Sequence, residues 1–169
     1  GWAGGGVAAG ETIRTATGPY NHPRNRPGWN GKRMTRSLSE SMGLTGWIGH
    51  DAQLAAPAET GVGDHVGAEN LIYVTISTGV GGGIIANSEM VTGASGGAGE
   101  VGHLPIRTGA YRCNVGCDGC FEGNASGPAI ARIARDMFTG EGPLAELAGG
   151  DPANITSRMV FDAADSGDP

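Results

Sequence analysis

Residues Ile72-Tyr73-Val74-Thr75-Ile76 form the clearest apolar and β-branched run in the chain and predict a buried strand over 70–77. The run breaks into Thr78-Gly79-Val80-Gly81-Gly82-Gly83 and resumes as an apolar strand at 83–87. Asn87-Ser88 is a hairpin signal, with 89–92 as the return arm. Upstream, residues 1–34 are rich in Gly, Pro and Asn and read as loops with a short strand at 11–15. Thr35 suits the cap of a short helix that Gly43 ends, with Leu38 and Met42 four apart on one face. Leu44 to Gly49 predicts a strand leading to His50-Asp51. Ala52 to Glu59 predicts the start of a helix that Pro57 kinks or cuts short.

Downstream, 93–102 is glycine-rich, and 103–107 predicts a short strand before a cysteine loop. Ser126 as N-cap, with Pro128 in the first turn, predicts a helix through 138 carrying the stripe Ile130, Ile133, Ala134 and Met137. Residues 139–153 read as a loop. Thr156 caps a final helix through about Asp165, with Met159, Val160 and Ala163 aligned. Strands and helices mixed in this order predict an α/β fold.

Composition narrows the classes. The chain has 169 residues, of which 33 are Gly and 5% are aromatic, so few large side chains exist to fill a core. A formal net charge of -6 with only 17% charged residues argues against a nucleic-acid footprint. Arg24, Arg26, Lys32, Arg33 and Arg36 read as a solvated face. No segment has the apolar length of a membrane span, and no charged-then-apolar leader opens the chain. Three cysteines within 113–120 suit a metal site in a reducing cytoplasm better than a disulfide framework. The start at Gly1 and the close on Gly167-Asp168-Pro169, directly after a predicted helix, read as an internal fragment of a longer protein.

Three segments carry chemistry. Glycines in the turn after Ser77-Thr78 let the backbone come close to a ligand, and successive N–H groups in such a turn form an anion site to which both hydroxyls add donors. The turn differs from a P-loop, which needs Gly-Lys-Ser/Thr and a following helix. Asp51 stands where a strand ends and a helix starts, a place where a polar group faces a cleft and also where Asp commonly caps a helix. Gly99-Glu100-Val101-Gly102-His103 precedes Cys113-Asn114-Val115-Gly116-Cys117-Asp118-Gly119-Cys120-Phe121-Glu122.

In order and spacing, these segments together with Gly49-His50-Asp51-Ala52 resemble the ROK family of sugar kinases and related repressors, from about Pro27 through Gly127 and more weakly beyond. The resemblance implies a ribonuclease H-like fold of the actin and hexokinase type, here incomplete. Residues 1–169 would be its sugar-binding part with the second phosphate hairpin. The family's N-terminal Asp-x-Gly-x-Thr hairpin and C-terminal adenosine segment would lie outside it. By resemblance Asp51 is the general base on the accepting hydroxyl, and His50, Asp51, Glu100, His103 and Glu122 contact the sugar. Thr78, Gly79, Gly81 and Gly82 would hold ATP phosphates with magnesium.

Zinc would be structural, held by His103, Cys113, Cys117 and Cys120. Two departures mark this chain: His50 stands where the family has Asn, and Val115 where it has a cysteine, with Cys117 two residues later. The implied function is a cytoplasmic ATP-dependent hexose kinase, foremost a glucokinase making glucose 6-phosphate. It would be a dimer or tetramer when full length, with no nucleic-acid or membrane partner. Kinases of fructose or N-acetylated hexosamines and a sugar-responsive repressor are the alternatives, and the isolated fragment is expected to be inactive.

Overall fold

The structure is a computed structural model, and it describes residues 5–9, 27–107, 109 and 111–168. The strand expected at 11–15 lies outside them. The chain divides into two compact units, Gly1–Val74 with Gly81–Glu100, and Thr75–Val80 with Val101–Pro169.

In the first unit β1 (Gly5–Ala9) and β2 (Gly46–His50) pair in parallel, with Ala9 opposite His50. Ala9 and Ile48 form a small core against which Val7, Trp29 and Met34 pack. Helix α1 (Met34–Met42) ends where Gly43 takes φ 64 and donates its N–H to the Ser39 carbonyl at 2.9 Å. It begins earlier than expected, with Arg33 as its N-cap and Thr35 already helical. Packing of Met34 on the Ala9–Ile48 core favours the earlier start. β2 starts at Gly46 because α1 lies directly over it: a Cβ there would meet the Thr35 carbonyl oxygen at 2.9 Å.

Helix α2 (Asp51–Gly61) follows β2 without a loop and continues past Pro57, so of the expected kink or early end the early end does not occur. Proline removes one rung of the hydrogen-bond ladder, but the face formed by Ala52, Gln53 and Ala56 is buried and holds the helix in place. Its partner is β4, where a Cβ at Gly83 would lie 2.8 Å from both the Ala52 carbonyl oxygen and the Ala56 Cβ.

Strands β3 (Leu71–Ile76), β4 (Val80–Ala86) and β5 (Glu89–Met90) form a sheet in that order. Asn87 and Ser88, at φ 52 and 64, close the antiparallel β4–β5 hairpin in the doubly left-handed geometry such turns need. β3 is less buried than its composition suggests, because Ile72, Val74 and Ile76 share an exposed face. Period-two patterning separates two faces of a strand, but neighbours decide which one is covered. β4 also starts earlier than expected, so Gly81, Gly82 and Gly83 are strand residues and the turn is Ser77-Thr78-Gly79.

In the second unit the strand expected at 103–107 is replaced by a 3-10 turn, Val101–His103, and an isolated bridge between Pro105 and Cys120. The cysteine loop folds back on this stretch: Ile106 and Arg107 both donate N–H to the Gly119 carbonyl, and Phe121 to that of Leu104. Helices α3 (Phe121–Ala125), α4 (Gly127–Asp136), α5 (Pro143–Leu147) and α6 (Ser157–Asp165) follow. Ser126 and Thr156 cap α4 and α6 as expected, accepting from the Ala129 and Met159 amides. α4 turns Ala129 and Ala131 inward, whereas Met137 is exposed. α5 lies where a loop was expected: five residues are too few to show a helical period, but Ala145 and Ala148 are buried and α5 packs on α6. Among the described residues no helix is long and apolar enough to cross a membrane.

Candidate active site

The first unit carries His50, Asp51 and Glu100. The β2–α2 junction leaves Asp51 in the first helical turn, where its Oδ1 accepts the Ala52 amide at 2.7 Å and its side chain is 57% exposed. One oxygen is therefore tied to the first turn of the helix, and the group stays open to a reactant. His50 Nδ1 lies 3.4 Å from Asp51 Oδ1, without the alignment of a hydrogen bond, and is itself buried with no hydrogen-bond partner. Gln53 is only 4% exposed, and its Nε2 donates to the carbonyls of Gly96 at 2.9 Å and Ala98 at 2.5 Å. These belong to the glycine loop that ends in the exposed Glu100.

Thr78, Gly79, His103 and Glu122 belong to the second unit. Ser77 donates its amide to the Gly79 carbonyl at 2.8 Å, and its own carbonyl accepts from Gly127 at the start of α4. Glu122 Oε2 accepts the Val80 amide at 3.0 Å, so a residue expected to face the sugar also holds the end of the glycine turn. Ser77 and Thr78 line an open, largely apolar cavity of about 890 Å³ with Pro128, Arg135, Thr156 and Ser157. Four hydroxyl-bearing residues, the Arg135 guanidinium and the capped starts of α4 and α6 supply its polar edge. Gly81 and Gly82 are β4 residues of the first unit, and a Cβ on Gly99, at φ 84, would come 2.6 Å from the Gly82 carbonyl oxygen.

The ligating atoms of His103, Cys113 and Cys120 all lie within 4.8 Å of one another, with His103 Nδ1 at 3.9 Å from Cys113 Sγ. Cys117 is outside that set but hydrogen-bonds to the Cys113 thiol. Burial opposes ionisation of Cys113, yet the amides of Val115 and Cys117 and the thiols of Cys120 and Cys117 outweigh it and hold the thiol below its usual range. Desolvation first, then the hydrogen bond and charge of Cys113 and the charges of Cys120 and Glu122, push the Cys117 thiol up. Cys120 Sγ also accepts the Gly123 amide at 3.3 Å, capping α3 and thereby aiming Glu122. One imidazole and two adjacent thiols are a donor set that fits zinc.

The ROK family model matches residues 5–169. The chain belongs to the ROK family. It is 39% identical to a glucokinase of Halalkalibacterium halodurans over 166 residues, covering 96% of this chain and 50% of that protein. It is 37% identical to an N-acetylmannosamine kinase of Escherichia coli over 119 residues, covering 70% of this chain and 40% of the relative. Among solved structures it resembles a ROK glucokinase from Streptomyces griseus in complex with glucose and AMPPNP. That match has a TM-score of 0.69 and 33% identity, and covers 83% of this chain and 46% of that one. The architecture is accordingly part of the actin- and hexokinase-type ATPase fold. The chain spans about half the length of the curated relatives it matches.

The sequence pattern singles out His50, Asp51, Glu100, His103 and Glu122, whereas the roles of Gln53, Gly123 and Arg132 emerge only from the structure. Gln53 had one legible signal, a lone amide beside the small residues Ala52 and Ala56. A Cβ on Gly123 would meet the Tyr111 carbonyl oxygen at 2.6 Å, which lets α3 sit against the cysteine loop. Arg132 donates to the Gly123 carbonyl at 2.8 Å and stacks over Tyr111, with 5.0 Å between guanidinium carbon and ring centre.

Proposed function

We propose that this chain is the sugar-binding part of an ATP-dependent hexose kinase, with glucose as the foremost acceptor and glucose 6-phosphate as product. The observation that carries the reading is the exposed Asp51 carboxylate at the start of α2, held by one oxygen and free at the other edge to take a proton. Transfer of a γ-phosphoryl group asks the protein for little covalent chemistry; it asks for a base beside the accepting hydroxyl and for donors around the phosphates. Asp51 takes the hydroxyl proton as the oxygen attacks the γ-phosphorus, and the bond from that phosphorus to the β–γ bridging oxygen breaks to release ADP. His50, Glu100, His103 and Glu122 hold the other hydroxyls, carboxylates being suited to accept from adjacent pairs.

Thr78, Gly79 and the N-terminal ends of α4 and α6 line or flank the cavity that would take the nucleotide, whose phosphates arrive as the magnesium complex. Zinc, when bound to His103, Cys113 and Cys120 with Cys117 beside them, would brace the loop and take no part in the transfer. Three unpaired cysteines suit a reducing cytoplasm. Names among the relatives support a sugar kinase but divide over the sugar, between glucose and N-acetylmannosamine.

The test is a coupled assay of the full-length protein with ATP and a panel of glucose, fructose, N-acetylmannosamine and kanosamine. Asp51→Asn should lower kcat by about 10²–10⁴-fold, the usual loss of a general base. Near-normal turnover in that variant removes Asp51 from the role, and no turnover of any sugar by the parent protein leaves the repressor alternative.

A further inference from the structure

We propose that Gln53 is a positioning residue that sets the spacing between Asp51 and Glu100, and so governs sugar binding; the inference rests on the reading of those two residues given above. Glutamine is a costly residue to bury: ordering its side chain costs up to about 2 kcal/mol of rotamer entropy, and an unpaired buried amide costs more. In this protein the cost is offset by two long-range bonds from a single nitrogen, to the carbonyls of Gly96 and Ala98, 43 and 45 positions away.

Both ends of this tie lie close to the chemistry. Gln53 is two residues beyond Asp51 on a continuous helix, and Ala98 is two residues before Glu100. The loop between β5 and Val101 has only turns of its own, with Gly93, Gly96 and Gly99 at φ 71, 82 and 84. Its internal hydrogen bonds are short-range, Gly96 to Gly93 and Ala98 to Thr92. Such a loop has many backbone states open to it, and a fixed side chain that grips two alternate carbonyls selects one. The same face of α2 is locked by Ala52 and Ala56 against Gly83, so the helix is the rigid member and the loop the member that is placed.

Gln53→Met keeps length and volume but removes both donors, and Gln53→Glu keeps a polar head while setting a carboxylate against two carbonyl oxygens. In the full-length protein, calorimetric titration with glucose should show Kd raised at least about tenfold in both variants, as expected from losing one or two satisfied hydrogen bonds. Kd for AMPPNP should stay within about twofold, since the phosphate turn is not part of the tie. A variant that melts lower but binds glucose like the parent has a structural glutamine only, and the proposal fails. Equal loss for glucose and AMPPNP also overturns it. If the parent protein binds glucose and Asp51→Asn keeps turnover, the fault lies in the assignment of the base and not in Gln53.

Discussion

Glu122 and Val80, 42 positions apart, are joined by a hydrogen bond of 3.0 Å from the Val80 amide to Glu122 Oε2. The carboxylate proposed to contact the sugar thus also secures the end of the glycine turn. Gly79 is the position that permits it: a Cβ there would meet the same Oε2 at 2.6 Å. Cys120, which caps α3 with its sulfur, sets the start of the helix from which Glu122 reaches the turn.

Removing this carboxylate should therefore disturb both substrates. Glu122→Ala should raise KM for the sugar and for ATP together, each by roughly tenfold, the scale of one lost charge-assisted bond. Glu122→Gln keeps an acceptor for the Val80 amide and should spare the ATP KM while still raising that of the sugar. Steady-state kinetics of the two full-length variants separates these outcomes, and an unchanged ATP KM in Glu122→Ala would refute the coupling.

Gly102 is the tightest backbone contact in the second unit, since a Cβ there would overlap the Val80 carbonyl oxygen. Gly102→Ala should lower stability by about 1–3 kcal/mol, the range for overpacking a close contact. Gly28→Ala, with nothing within 4 Å of its Cβ position, should change it by less than about 0.5 kcal/mol. Thermal unfolding of the two variants beside the parent measures the difference.

Zinc is expected at about one ion per chain in protein purified without chelator, as for a structural site with soft donors. His103→Ala, Cys113→Ser and Cys120→Ser should each abolish it, because their donor atoms form the tight cluster. Cys117→Ser should weaken retention against a chelator if the neighbouring thiol closes the tetrahedron. Metal analysis reads all four, and unchanged retention in Cys117→Ser excludes Cys117 as a ligand.

Ser126 and Thr156 each satisfy an amide in the first turn of a helix, and Ser126 is 4% exposed. Ser126→Ala and Thr156→Ala should each cost about 1 kcal/mol. Ser126→Ala should fall at the upper end, because its abandoned amide is buried. Denaturant unfolding of the single variants and of the pair tests both size and additivity.

Local rules made several elements legible. Gly43 stops α1 because only an αL residue ends a helix so cheaply. Asn87-Ser88 closes a hairpin because Asn accepts positive φ readily, while Ser88 is held there with its amide on the Glu69 carbonyl. Ser126 and Thr156 begin helices because their hydroxyls replace missing carbonyl partners. The same locality explains the failures: Pro57 forbids one hydrogen bond but says nothing of Gly83 beneath α2, whose missing side chain lets the helix stay packed and carry on.

From its own residues the chain determined the α/β order and the close spacing of its cysteines, since these depend on residue type and spacing, while His50, Asp51, Glu100, His103 and Glu122 stood out through their resemblance to a family's motifs. Only the tertiary structure decided that Gly81 to Gly83 are strand, that Gln53 reaches across 45 positions to the glycine loop, and that Glu122 grips Val80. The physical reason is that hydrogen bonds and close approaches between distant segments depend on where backbones lie in space, and no local preference encodes that distance.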